Sequence, residues 1–352
     1  MAEEAARMRA PELVGGYWVN GEPLTMASLR GKVVLIDFWD YTCVNCIRTL
    51  PYVTEWHRRY SPHGLTVVGV HAPEFSFAKE LDGVKRAIET FGIEYPVVMD
   101  NGFAIWQAYA NRYWPAKYLV DDEGYIRYYH FGEGGYQETE GAIQGLLRGI
   151  LPGLELPAPV APVRDTDAPG AACYRVTPEL YLGYARGRIG NPQGCVPNQT
   201  ETYVDPGRHA EGFFYLSGEW NADEEYVMKP WGPSTGLSER SIGVRKADRT
   251  GSDNQSAVTI KYTAKEVNLV MNPLLGRACQ VYVTQDGAPL GQGDAGDDVR
   301  LGEDGRAFID VDAPRMYRLV NNRELDSHEL TLSTETAGLA LYAFTFVSCL
   351  VA

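Results

Sequence analysis

The chain has 352 residues and a formal net charge of -14 at pH 7, with 46 acidic side chains against 32 basic ones. A surface of that sign repels phosphates, so nucleic-acid binding is excluded as a main role. The length predicts two domains, each able to bury its own core. Six cysteines in a chain this long are too few for a disulfide scaffold. No apolar run reaches the ~20 residues that a membrane helix requires, so no membrane span is expected. Met1–Ala10 is charged and lacks the apolar stretch of a secretory signal; with Met1 as the native start, a cytoplasmic protein is expected.

Tyr17 to Lys32 reads as a short hairpin turning at Asn20-Gly21, a strong two-residue turn signal. Val33 to Trp39 is a continuous apolar, β-branched run, as expected of a strand covered on both faces. A helix is predicted from about Cys43 to Tyr60, with Pro51 as a point of kinking. Leu65 to His71 reads as a second buried strand, Phe77 to Phe91 as a helix ended by Gly92, and Tyr95 to Met99 as a short strand. Phe103 to Asn111 predicts a short helix, Tyr118 to His130 an antiparallel hairpin, and Thr139 to Leu151 a closing helix. This order implies an α/β domain over 11–151, a mixed sheet with helices on both faces.

Residues 152–172 are rich in proline and alanine and read as a stiff interdomain linker. Beyond it, over 173–352, short alternating runs such as Ser256–Tyr262, Cys279–Thr284, Ala307–Val311 and Leu339–Phe346 predict an all-β sandwich or jelly roll.

Cys43-Val44-Asn45-Cys46 lies where the first buried strand gives way to a helix. A thiol reacts as its thiolate, and a cysteine at a helix N-terminus faces the positive end of the backbone dipole, so Cys43 is expected to be acidified and exposed. Cys46 follows one turn on and is expected to be buried. Two sulfurs so placed can cycle between dithiol and disulfide, with Cys43 attacking and Cys46 resolving. A zinc site needs two more ligands that Cys173, Cys195, Cys279 and Cys349 do not supply at motif spacing, and c-type haem attachment needs a histidine where Ile47 stands. No cofactor or metal is therefore expected besides the redox-active pair.

Asp37-Phe38-Trp39 followed by this pair resembles the active-site strand and turn of thioredoxins. Leu29-Arg30-Gly31-Lys32, the helix ahead of Tyr95-Pro96-Val97-Val98-Met99-Asp100, and Trp114-Pro115-Ala116 narrow the resemblance to the TlpA/ResA-like redoxins. Cys43 to Pro51 preceded by Trp39-x-Tyr41-Thr42 is most similar to the soluble C-terminal part of DipZ proteins, in which a thioredoxin-like domain precedes a carbohydrate-binding-module-like β domain. The resemblance implies that Asp37 assists deprotonation of Cys46, that Pro115 is the cis-proline beside the pair with Trp114 and Trp39 around the substrate, and that Glu74 moves protons or raises a thiol pKa. The lysine that thioredoxins carry on the neighbouring strand is missing, with Gly69 near its place.

The implied partners are disulfide-containing proteins or small disulfides, plus a donor or acceptor of electrons. The resemblance also implies an extracytoplasmic setting, against the reading from Met1. Two alternatives stand beside it. A peroxiredoxin-like peroxidase wants proline and a hydroxyl residue ahead of its cysteine, where Ile36 and Asp40 precede Cys43. A carbohydrate-binding adaptor would use Tyr181, Tyr184, Trp220, Tyr226, Trp231, Tyr262 or Tyr282 to stack on sugars. Cys173–Cys195 and Cys279–Cys349 are candidate disulfides, with neither connectivity fixed.

Overall fold

The computed structural model describes residues 8–168, 172–173, 175–231, 255–347 and 349–350. They form two compact units that meet in sequence at Ala171 and Ala172.

In the first unit, β2 (Val33–Trp39) has every residue buried, because alternate side chains feed two different cores. Val33, Leu35 and Trp39 face one, with α1 (Val44–Tyr60), α2 (Leu81–Thr90) and α4 (Tyr136–Ile150) contributing Leu50, Val53, Val84, Ile143 and Leu147. Val34, Ile36 and Phe38 face the other, with Leu13, Leu29 and, from α3 (Ala104–Ala108), Ile105. Burying a large apolar side chain contributes roughly 1.5–3 kcal/mol, so this period-2 division pins the strand between two helical layers. Around it run β1 (Tyr17–Val19), β3 (Leu65–His71), β4 (Val97–Met99), β5 (Ala116–Val120) and β6 (Ile126–Phe131), in the order β1-β4-β3-β2-β5-β6. β2, β3 and β4 are parallel, while β5, β6 and β1 run against their neighbours. This is the expected mixed sheet with helices on both faces.

Three local expectations change. Tyr17–Val19 does not form a hairpin at Asn20-Gly21; it pairs with β4, because the Asn20 side-chain amide donates to the Ile93 and Tyr95 carbonyls at 2.8 and 3.0 Å and so delivers the strand to that edge. The helix expected over Phe77–Phe91 is split into a 3-10 turn, Ser76–Lys79, and α2, because Glu80 is extended (φ -75, ψ 126). α1 runs unbroken through Pro51.

The proline-rich stretch expected as a linker is bound along the first unit as far as it is described there. Its extended backbone leaves polar groups that helix side chains satisfy. Val160 N–H donates to the Glu140 carboxylate at 2.8 Å, the Gln144 amide donates to the Pro157 carbonyl at 2.9 Å, and the Tyr52 hydroxyl accepts from Val163 N–H and donates to Asp167, both at 2.7 Å. Leu154, Leu156 and Val160 cover the apolar side of the same helices.

The second unit is strand-rich, as expected. Eleven of its described strands hydrogen-bond into one sheet with antiparallel strand pairings, and Ala172–Cys173 and Cys349–Leu350 form a separate two-stranded pair. Strands Ser256–Pro273 and Arg315–Thr334 are far longer than the sequence runs suggested and carry register shifts at Ala264/Glu266 and Val267/Asn268. One core gathers residues from both ends of the sheet, Ile309 and Val311 with Leu180 and Phe344, so the sheet wraps around it. Cys195 and Cys279 are free thiols, which removes both candidate disulfides. The backbones of Cys173 and Cys349 face each other in an antiparallel pair; their side chains lie outside the described residues, as does the segment 1–7. No helix among the described residues is long and apolar enough to cross a membrane.

Candidate active site

β2 ends at Trp39, and the chain turns through Asp40, Tyr41 and Thr42 into Cys43, the N-cap of α1. Cys43 is extended (φ -82, ψ 115), and its sulfur accepts the Cys46 N–H at 3.2 Å. A thiolate at this point meets an orphan amide and the positive end of the helix. Cys43 is partly exposed and Cys46 buried, and both thiols are free. The helix end alone predicted an acidified Cys43. Burial instead pushes its pKa up, with the Glu74 and Asp40 carboxylates acting in the same direction against the hydrogen bonds from Cys46. Burial and the neighbouring Cys43 raise Cys46 well above the ordinary thiol value. Cys43 is thus the less buried of the two and Cys46 the more sequestered, the asymmetry that sequential exchange requires.

Asp37 sits on the Cys46 face of β2 with 1% of its surface exposed, and burial raises its pKa to about 7, partly offset by the charge of Lys117. Lys117, which the sequence reading missed, lies directly across from Asp37 on β5 and is fully buried. Its Nζ donates to the Gly132 carbonyl at 3.4 Å and stands 5.7 Å from the centre of the Tyr136 ring. Burial lowers its pKa, while Asp37 and Cys46 act to raise it. The opposite neighbour of Asp37 is Gly69 on β3, where a Cβ would come within 3.1 Å of Trp39, Tyr95 and Val97. A lysine cannot enter from β3, so the buried cation arrives from the other side of the strand.

The Trp114–Pro115 peptide is cis. The Trp114 indole N–H donates to the Ala72 carbonyl at 2.9 Å and its ring packs on Trp106 at 4.2 Å, which fixes it before any partner arrives. Trp39 is fully buried against His71, so it shapes the floor of the site and offers no open face. Glu74 is half-buried; its backbone N–H donates to Asp40 and its charge acts on Cys43. The structure therefore brings Cys43, Cys46 and Glu74 together at this turn, and Lys117 lies within reach of the charges of both Asp37 and Cys46. His57, expected at the surface, is half-buried against Tyr95.

Of the aromatic residues in the second unit, Trp220 and Tyr262 are core. Arg186 covers the Tyr181 ring at 3.3 Å and Arg306 the Tyr282 ring at 4.3 Å, while Tyr226 packs on Tyr342. Trp231 is 49% exposed. No group of three or more potential metal ligands occurs among the described residues.

Residues 5–143 match the model of the Redoxin family, and residues 177–233 and 243–346 match that of the thioredoxin-like C-terminal domain. Protein DipZ of Mycobacterium tuberculosis is 36% identical over 284 residues, 80% of this chain; the chain spans only 37% of that relative's length. The thiol-disulfide oxidoreductase YkuV of Bacillus subtilis is 31% identical over 142 residues, 40% of this chain and 95% of YkuV. ResA of Bacillus thuringiensis, also a thiol-disulfide oxidoreductase, is 28% identical over 134 residues, 38% of this chain and 72% of its own. With its redox pair on a strand-to-helix turn and a relative matched along nearly its whole length, the chain belongs to the thioredoxin-like thiol-disulfide oxidoreductases of the redoxin type.

Proposed function

We propose that the chain exchanges disulfides through Cys43 and Cys46 with disulfide-bearing proteins as partners. The observation that carries this reading is the unequal access of the two free thiols, one partly exposed at the helix N-cap and one buried against it. Cys43 as thiolate attacks one sulfur of the partner disulfide; that bond breaks, one partner thiolate leaves, and a mixed disulfide joins Cys43 to the other. Asp37 takes the Cys46 proton, and the Cys46 thiolate attacks the Cys43 sulfur. The second partner thiolate leaves and the Cys43–Cys46 disulfide remains. The partner has gained two electrons, and a separate thiol donor must return two to the chain before the next cycle. A partner segment lies along Pro115, beside the Trp114 ring that Trp106 and Ala72 hold in place.

Cys46→Ser should accumulate mixed disulfides through Cys43 that reductant dissolves, detected by non-reducing electrophoresis and mass mapping of a disulfide-bearing test protein such as insulin. Adducts that form on Cys43→Ser and not on Cys46→Ser reverse the two roles. Exchange that survives in Cys43→Ser overturns the reading.

A further inference from the structure

Asp40 lies outside the Asp37–Lys117 pair, and its side chain joins the two halves of the site. Its Oδ1 accepts the Thr42 N–H at 2.7 Å and the Thr42 hydroxyl at 2.9 Å, and its Oδ2 accepts the Glu74 N–H. One carboxylate thus fastens the turn that carries Cys43 to the segment that leaves β3. It is fully buried. The titratable groups facing it are His71, with Nε2 4.0 Å away, and Tyr41, Glu74, Cys43 and Cys46. The His71 ring is itself fully buried, stacked on Tyr41 and met by the edge of Trp39, and no side chain among the described residues hydrogen-bonds to its nitrogens. Burying a carboxylate is costly unless donors hold it, and three donors converge here.

Building on the proposed exchange chemistry, we propose that Asp40 is its positioning residue: it fixes the Cys43 turn against the Ala72–Glu74 segment, and its buried negative charge adds to burial and to Glu74 in opposing the Cys43 thiolate. A like charge disfavours thiolate formation, so removing the Asp40 charge should raise the reactivity of the nucleophile. Burial raises the Asp40 pKa to about 6 against the pull of its three hydrogen bonds. The charge is therefore present at neutral pH and lost just below it.

The test is the rate of Cys43 alkylation by iodoacetamide against pH, read by mass spectrometry in a Cys46→Ser background and requiring no turnover. Asp40→Asn removes the charge and leaves an acceptor for Thr42. It should alkylate several-fold faster at pH 7, because removing a like charge raises the thiolate fraction. Asp40→Ser is the second variant, with the same expectation. With Asp40 present, the profile should show a lower inflection near pH 6 that both variants lose. Variants that lower the unfolding midpoint while leaving the alkylation profile unchanged reduce Asp40 to a structural residue and overturn the proposal; should neither fold, a single-ionisation profile in the parent does the same. Failure of exchange with proteins would sink the proposed function and leave this measurement standing.

Discussion

At the residue scale, the site is governed by what is buried beside the sulfurs. The helix N-terminus supplies an amide to Cys43, but burial and two carboxylates outweigh it. Burial brings Asp37, the base proposed for Cys46, up to about 7, and Lys117 holds it from rising further, because an opposite charge favours the ionised carboxylate. Lys117→Met should therefore push Asp37 further up from about 7. The pH midpoint for resolution of the mixed disulfide by Cys46 should then move upward by about one unit. Stopped-flow decay of a preformed adduct across pH 6 to 9 measures this; a midpoint that stays put assigns Lys117 to packing alone. Asp37 was legible in sequence as an acid in an apolar strand. Lys117 was not, since its place beside Asp37 depends on an antiparallel register between residues eighty positions apart, which no local pattern encodes.

At the element scale, β2 and β3 explain why the cation enters where it does. Gly69 leaves the space that Trp39, Tyr95 and Val97 fill, and the tight contact forbids even a methyl without movement. Gly69→Ala should cost roughly 1–3 kcal/mol by overpacking, since all three neighbours are fully buried. A urea midpoint indistinguishable from the parent would show that the site relaxes freely. The elements with strong periodicity or continuous apolar runs, β2, β3, α1 and α4, were legible because burial alone specifies them. The Asn20-Gly21 turn misled because its amide served a distant carbonyl pair instead of a neighbouring strand. Of the two long strands of the second unit, Ser256–Pro273 was legible only as its first part, Ser256–Tyr262, because register shifts break its alternation further on. Likewise, proline and alanine content suggested a stiff interdomain linker over 152–172, while side chains on α1 and α4 bind its described part.

At the scale of the whole molecule, placing titratable groups in the core makes folding itself depend on pH. Asp37 keeps its proton up to about pH 7 when folded, against a reference value of 3.8, so between these the folded chain holds more protons and stability falls as pH rises. Asp40 adds the same sign up to about 6. His71 opposes them: it stays neutral down to about 3 when folded against 6.5 otherwise, so it contributes stability that grows as pH rises through that window. Two falling contributions against one rising one leave a net loss of stability between about pH 4 and 6 from these groups. Asp37→Asn removes one falling limb. It should match the parent near pH 4 and exceed it above pH 7, by up to about 4 kcal/mol for three pKa units, since the group is buried too deeply for solvent to screen it. Urea unfolding of the reduced chain at pH 4.5, 6 and 8 reads the difference directly. A gap independent of pH would mean that Asp37 is already ionised in the folded chain. The base for Cys46 would then be set by the Lys117 charge, and the stability that Asp37 forgoes at neutral pH would not be the cost of poising a proton acceptor beside a buried thiol.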